Sequence, residues 1–268
     1  ERVCGMLFSS FEFLFRFLPV FLVIYYLTPK KLRNVTLLGG SIVFYTIGEA
    51  GYITILLACV LVNYTLTRLM YRKNTDGRGI RQKRLLLLAL GYDLGVLFFF
   101  KYSGLASGLP LGISFYTFQQ LAYLIDRCRG DAPRDSFFDY LTFMVYFPQL
   151  LQGPILLRSE FMGQLKEPER RRFHAERFSE GIQFFVFGLA KKVLLADTLA
   201  KAVNYGYSNV SMLDSISALL LAVGYLTELY FDFSGYCDMA IGLGKMIGLE
   251  VAENFDAPFH SASVKEFW

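Results

Sequence analysis

Three runs of hydrogen-bonding and ionisable residues stand inside an otherwise apolar chain of 268 residues. The first is Gly112-Ile113-Ser114-Phe115-Tyr116-Thr117-Phe118-Gln119. The second is Tyr146-Phe147-Pro148-Gln149-Leu150-Leu151-Gln152-Gly153-Pro154. The third runs from Glu228 to Asp238 and holds Asp232 and Ser234. Hydroxyls and amides such as Tyr116, Gln119 and Gln149 can hold a polar substrate, and a carboxylate such as Asp232 can orient a hydroxyl or take its proton. Lipid offers these groups no partner, so they must face other helices or a cavity. An ionisable group at membrane depth is a functional candidate by default. Blander readings stand beside these. The Ser and Gln side chains glue helices together equally well, and Asp232 is placed to cap a helix starting near Ser234. Asp232, Ser234 and Asp238 loosely follow a calcium loop, but its twelfth position is Leu243, so no metal site is expected. His174 and His260 are far apart, and neither a nucleophile elbow nor a P-loop occurs. The four cysteines form no C-x-x-C pair and are expected as buried or interfacial thiols.

The elements that carry these residues are membrane spans. Only 19% of the residues are charged, 54% are hydrophobic and the mean hydropathy is +0.39. The charges are bunched, and the apolar runs between them approach the roughly 20 residues that a helix needs to cross a bilayer. Lipid requires every backbone N–H and C=O to be paired internally, so such runs become helices. The short alternating segments of a membrane barrel are absent. The expected fold is all-α, a polytopic helical bundle forming a single membrane domain over 1–268. The net charge of +4 does not imply nucleic acid.

Spans are predicted at about 7–27, 35–47, 52–70, 85–100 and 113–125. Excess Lys and Arg mark cytoplasmic loops. That rule places Thr28–Asn34 and the basic stretch 71–84, with Arg72, Lys73 and Arg81, in the cytoplasm, together with Arg127, Arg129 and Arg134. The N-terminus, Gly48–Gly51 and Ser103–Pro110 then lie outside. Residues 137–151 are apolar but short, and the basic residues Arg158 to Arg177 follow them, so both flanks are cytoplasmic. A re-entrant segment turning at Pro148, Gly153 and Pro154 satisfies both flanks. A helix lying on the bilayer surface is the alternative. A long helix over 178–203 is broken by Lys191 and Lys192, which either snorkel to headgroups or face a wet cavity. A polar loop at 204–213, a span at 215–231, a separate Gly-rich segment at 234–249 and a polar tail complete the chain.

Read in order, these residues resemble the membrane-bound O-acyltransferase family, on the branch of the alginate O-acetylation proteins, with the D-alanyl transfer proteins of teichoic acid as relatives. The matching residues are Met6-Leu7-Phe8-Ser9-Ser10, the run Leu109 to Phe118, Tyr146-Phe147-Pro148-Gln149 with Gly153-Pro154, and Tyr230 to Tyr236 with Asp238 to Gly242. Glu253-Asn254-Phe255, Pro258-Phe259 and Glu266-Phe267-Trp268 follow. The resemblance implies transfer of an acyl group, in the first place acetyl, from a cytosolic thioester to hydroxyls of an extracytoplasmic polysaccharide through a tunnel. The thioester, acetyl-CoA or an acyl carrier, is a substrate, and no bound cofactor is implied. A partner extracytoplasmic acetyltransferase would complete delivery, in the plasma membrane of a bacterium.

In this branch the Phe-Trp run continues into a basic stretch and the catalytic Trp-His. The resemblance therefore implies an N-terminal fragment whose catalytic histidine lies just beyond Trp268. His260 is upstream of that motif and is not the expected base, and Glu228 stands where the branch often has Gln. Tyr116, Gln119, Gln149 and Asp232 are the expected tunnel residues, with none catalytic in this chain. D-alanyl transfer to teichoic acid is the alternative within the class, and a transporter or flippase the alternative outside it.

Overall fold

Backbone pairing in lipid predicts helices, and the computed structural model of this chain contains only helices and turns among the residues it describes, 6–70, 78–104, 108–129, 135–154, 156–167 and 169–267. Arg72, Lys73, Arg134 and Trp268 lie outside them. Among the described residues, three helices are long and apolar enough to cross a membrane: α3 (Ile53–Met70), α4 (Arg78–Tyr102, apolar from Arg81) and α11 (Ser215–Ile247). The chain packs as two compact units, Glu1–Phe173 and His174–Trp268.

In the first unit a π-turn, Phe13–Phe17, leads into α1 (Leu18–Leu27), followed by α2 (Arg33–Glu49), α3, α4 and α5 (Ile113–Arg129). The basic stretch before α4 is not all loop, because residues 78–84 form its first turns. Side-chain contacts join like with like in the charge-derived topology. On the side assigned to the cytoplasm, Lys30 pairs with Glu169 at 2.7 Å, Arg33 donates to the Arg171 carbonyl, and Arg171 donates to Asn34. Arg33 also reaches the Tyr26 and Thr28 carbonyls at the end of α1, so a buried guanidinium satisfies carbonyls that a helix end leaves open. Gln82 meets the Cys128 carbonyl at 3.0 Å. On the opposite side, Tyr45 donates to the Leu111 carbonyl and Tyr52 packs edge-on against Phe100. The Lys30 ammonium, seconded by Arg172, holds the exposed Glu169 carboxyl below its usual range.

The segment predicted to dip and return, 137–151, consists of α6 (Phe137–Met144), a break and α7 (Phe147–Leu150), and α8 (Arg158–Leu165) follows it. Continuing α6 would drive the Pro148 ring into the carbonyl four residues earlier, at Met144, where α6 stops. Residues 142–151 are all buried, whereas a helix on the bilayer surface would leave one face open. The two flanks of the segment are tied together. Asp135 accepts from Nε and Nη2 of Arg158, the former at 2.6 Å, and from the Tyr123 hydroxyl at 3.1 Å. The turn between them reaches the far end of α5, where a Cβ on Gly112 would lie 2.3 Å from the Leu150 carbonyl oxygen. Gly112 also has φ +73, which makes glycine the residue for that position. From Gly112 to Tyr123 α5 rises roughly 16 Å, about half the hydrocarbon thickness. The bottom of the dip is held by Phe147, fully buried among Phe8, Phe13, Phe17, Phe21 and Phe44 with ring centroids 5.1–6.4 Å away.

In the second unit, α9 (Ala175–Ala190) passes through a π-turn at Lys191–Ala196 into α10 (Asp197–Ser208). The polar loop predicted from 204 starts only after Ser208. The predicted break near Asp232 does not exist, since α11 runs unbroken for 33 residues from Asp214 to the left-handed Gly248 at its end. Its cap is Asp214, which accepts from the Ser217 amide at 2.9 Å. The Ser217 hydroxyl, and after it this amide, hold the Asp214 carboxyl below its ordinary value. A depressed folded pKa means that the cap is present above the unfolded carboxylate value and lost as pH falls through the folded one. Amide exchange at Ser217, corrected for intrinsic rate, is expected to stay slow at neutral pH and to quicken once the carboxyl is protonated. An Asp214→Asn variant, still a capping residue, is expected to remove the pH step.

Helices α9 and α11 touch backbone to backbone. A Cβ on Gly188 would lie 2.4 Å from the Gly235 carbonyl oxygen, and one on Gly235 would lie 2.7 Å from that of Gly188. Gly181 and Gly242 repeat the reciprocal contact two turns away. Small residues let helix backbones approach in this way where lipid offers no hydrophobic drive for association.

Candidate functional site

Three of the four sequence-predicted tunnel residues belong to the first unit and gather on two neighbouring elements. Tyr116 and Gln119 are on α5, and Gln149 is on α7 at the bottom of the dip. All three are buried. Gln119 Nε2 donates to the Leu156 carbonyl at 3.0 Å, fixing α5 to the chain that leads into α8. Gln119 Oε1, Gln149 Oε1 and the hydroxyls of Tyr116, Tyr140 and Tyr146 meet no polar protein partner. An orphaned buried polar atom costs about 1–3 kcal/mol. Five such atoms lie on the segment and on the helix beside it, and buried polar groups without a protein partner call for an explanation.

A second polar group in the same unit was missed by sequence reasoning. Asn63 on α3 donates to Asp93 Oδ1 on α4 at 2.7 Å and to Gln120 on α5, and all three are essentially inaccessible. Asp93 Oδ2 has no polar protein partner. The signal was present, since a carboxylate inside a long apolar helix is rarely without purpose.

Asp232, the fourth, belongs to the second unit, on α11. It pairs with Lys192 at 2.6 Å, and Lys192 also reaches Asp197 at 2.7 Å. Lys191 pairs with Asp238 at 2.6 Å. The expectation that the lysines reach for headgroups is corrected by these pairings. The wide turn of a π-helix sets consecutive side chains closer in angle, so adjacent lysines can both turn to α11. Lys191 and Asp238 form one wall of a pocket of about 420 Å³, with Gln183, Glu253, Asn254 and Phe255 around it. Asn254 closes over Cys237, its amide nitrogen 3.6 Å from the sulfur. Amide, ammonium and carboxylate groups beside an aromatic ring suit a polar ligand with apolar faces. His260 is exposed on a short turn, Pro258–His260, and His174 is exposed at the start of α9. Neither lines this pocket.

Comparison with known proteins bears on what such linings handle. The sequence profile of the membrane-bound O-acyltransferase family matches residues 42–268. A probable alginate O-acetylase of Pseudomonas putida is 38% identical over 98% of this chain and 57% of its own length. A peptidoglycan O-acetyltransferase of Helicobacter pylori is 32% identical over 100% of this chain and 59% of its own. A teichoic acid D-alanyltransferase of Bacillus subtilis is 26% identical over 59% of this chain and 40% of its own. The chain thus spans little more than half the length of the first two.

Proposed function

This chain belongs to the membrane-bound O-acyltransferase family, and on that premise we propose that it walls the transfer tunnel of a polysaccharide O-acetyltransferase. The reaction is R–OH plus R′–S–CO–CH₃ giving R–O–CO–CH₃ plus R′–SH. The acceptor oxygen forms the new bond to the acyl carbon, the C–S bond breaks, and the hydroxyl proton passes to a base and on to the leaving sulfur. The observation that carries this reading is the set of orphaned polar atoms on the re-entrant segment and α5. A thioester is already activated, so positioning its carbonyl and the acceptor hydroxyl is the main demand. Gln119, Gln149 and Tyr116 are assigned that role. The base is assigned to the part of the relatives' length that this chain does not span.

The donor is a cytosolic acetyl thioester, acetyl-CoA or an acyl carrier. The acceptor is a polysaccharide hydroxyl outside a bacterial plasma membrane crossed several times by the protein, with a partner extracytoplasmic acetyltransferase as the onward route. The O-acetylase relatives match nearly the whole chain, while the D-alanyltransferase relative matches 59% of it, which favours acetyl over D-alanyl. In the complete natural polypeptide, Gln149→Leu is expected to lower acetyl transfer about tenfold through loss of one positioning bond, with unchanged thermal unfolding. Full transfer by that variant would remove Gln149 from the tunnel.

A further inference from the structure

An open groove of about 670 Å³ runs between α1 and α2 in the first unit. Its walls are apolar, with Val20 and Ile24 on one side and Val43 across from them. Gly39 lines it too, and a Cβ added there would meet nothing within 4 Å. Open space therefore faces position 39 among the described residues, and the groove is wide there. Glu12 and Arg16 also line the groove, and both are exposed. Opposite charges four residues apart on an α-helix ordinarily pair. Here Glu12 caps the π-turn Phe13–Phe17 and Arg16 lies within it, and among the described residues neither takes part in an ion pair. The groove thus carries one positive and one negative charge, both unpaired, beside apolar walls.

A zwitterionic phospholipid carries the complementary set: a phosphate for Arg16, an ammonium for Glu12 and acyl tails for the walls. We propose that this groove is a phospholipid site selective for a headgroup with a primary ammonium, as in phosphatidylethanolamine. The charge-derived topology puts the headgroup in the outer leaflet. An ammonium with N–H donors gives Glu12 charge-assisted hydrogen bonds that a quaternary ammonium cannot give. The site stands apart from the acyl-transfer residues, so it does not depend on the proposed reaction.

The test uses the complete natural polypeptide, stripped of lipid and offered equal amounts of phosphatidylethanolamine, phosphatidylcholine and phosphatidylglycerol, with bound lipid read by native mass spectrometry. Phosphatidylethanolamine is expected to be retained about tenfold over phosphatidylcholine, the worth of one charge-assisted hydrogen bond. Glu12→Gln is expected to erase that preference, and Arg16→Gln to lower retention of all three. Gly39→Phe, which fills open space, is expected to lower all three with unchanged thermal unfolding. Equal retention of the three lipids by the natural protein, or retention indifferent to Gly39→Phe, overturns the proposal. So does crosslinking of a Gly39→Cys variant to a protein segment outside residues 1–268, which would show that a helix fills the groove.

Discussion

Replacing Asp135 by alanine is expected to cost about 3–5 kcal/mol of stability, the range for a buried ion pair robbed of one partner. Arg158 keeps 6% of its side chain exposed and Asp135 none, so the guanidinium left behind has no water to turn to. The position makes the loss more than local. Asp135 stands just before α6 and Arg158 opens α8, so their bond closes the neck of the re-entrant segment. Opening that neck is expected to expose residues 150–154 to protease. Arg158→Ala should behave alike. The double variant Asp135→Leu, Arg158→Met is expected to recover much of the stability, because two apolar residues avoid both desolvation costs. Chemical unfolding of the four proteins in one detergent gives the comparison. A loss under about 1 kcal/mol for Asp135→Ala, the range of an exposed pair, would mean that the neck is not sealed by this bond.

The second large effect is expected at Gly188. A leucine there would place its Cβ 2.4 Å from the Gly235 carbonyl oxygen and 2.7 Å from the Met239 amide nitrogen. Both neighbours are backbone atoms of α11, so no side chain can swing aside and the helices must part. Overpacking of a close contact costs about 1–3 kcal/mol and sometimes more. With backbone on the opposing side, about 3 kcal/mol is expected. The parting helices carry Lys191 and Asp238, so the polar pocket of the second unit should open as well. Gly91→Ala is the control. Its Cβ would meet nothing within 4 Å on the exposed side of α4, and the change is expected to add up to about 1 kcal/mol of helix stability. Equal unfolding of Gly188→Leu and the natural protein would contradict the backbone contact.

Much of the topology was legible in charge alone, because Lys and Arg outside the spans follow a rule independent of packing. Residues placed on one side by that rule, such as Lys30 and Glu169, meet in the structure. The turn at Pro148 in a run too short to cross was legible too, since proline ends a helix. The break expected at 232–234 was misread because Asp, Ser and Gly there have the composition of a turn. The helix continues because Lys192 neutralises Asp232 and because Gly235 is needed for the approach to Gly188. Both are contacts between α11 and the α9–α10 region, far apart in sequence, which no local pattern contains. The seven-residue spacing of Gly181 and Gly188, repeated at Gly235 and Gly242, was visible, but which helix each pair faces was not. The same holds for Lys191 with Asp238 and Lys192 with Asp232, pairs about 40 or more residues apart, whereas Asp197 lies within reach of Lys192 in sequence. Asp93 is a different lapse, a lone carboxylate in an apolar run that periodicity treats as part of a span.

The most direct test of the tunnel account is vectorial acyl transfer in proteoliposomes holding the complete natural polypeptide. Acetyl thioester labelled in its acetyl group is enclosed on the cytoplasmic side of the protein, and polysaccharide is supplied on the other. The account predicts label in ester linkage on the polysaccharide, free thiol retained with the donor, and a drop of about tenfold with Gln149→Leu in a protein that unfolds like the natural one. Labelled thioester recovered intact on the polysaccharide side, with no ester formed, would instead make the polar interior a transport path and contradict the account.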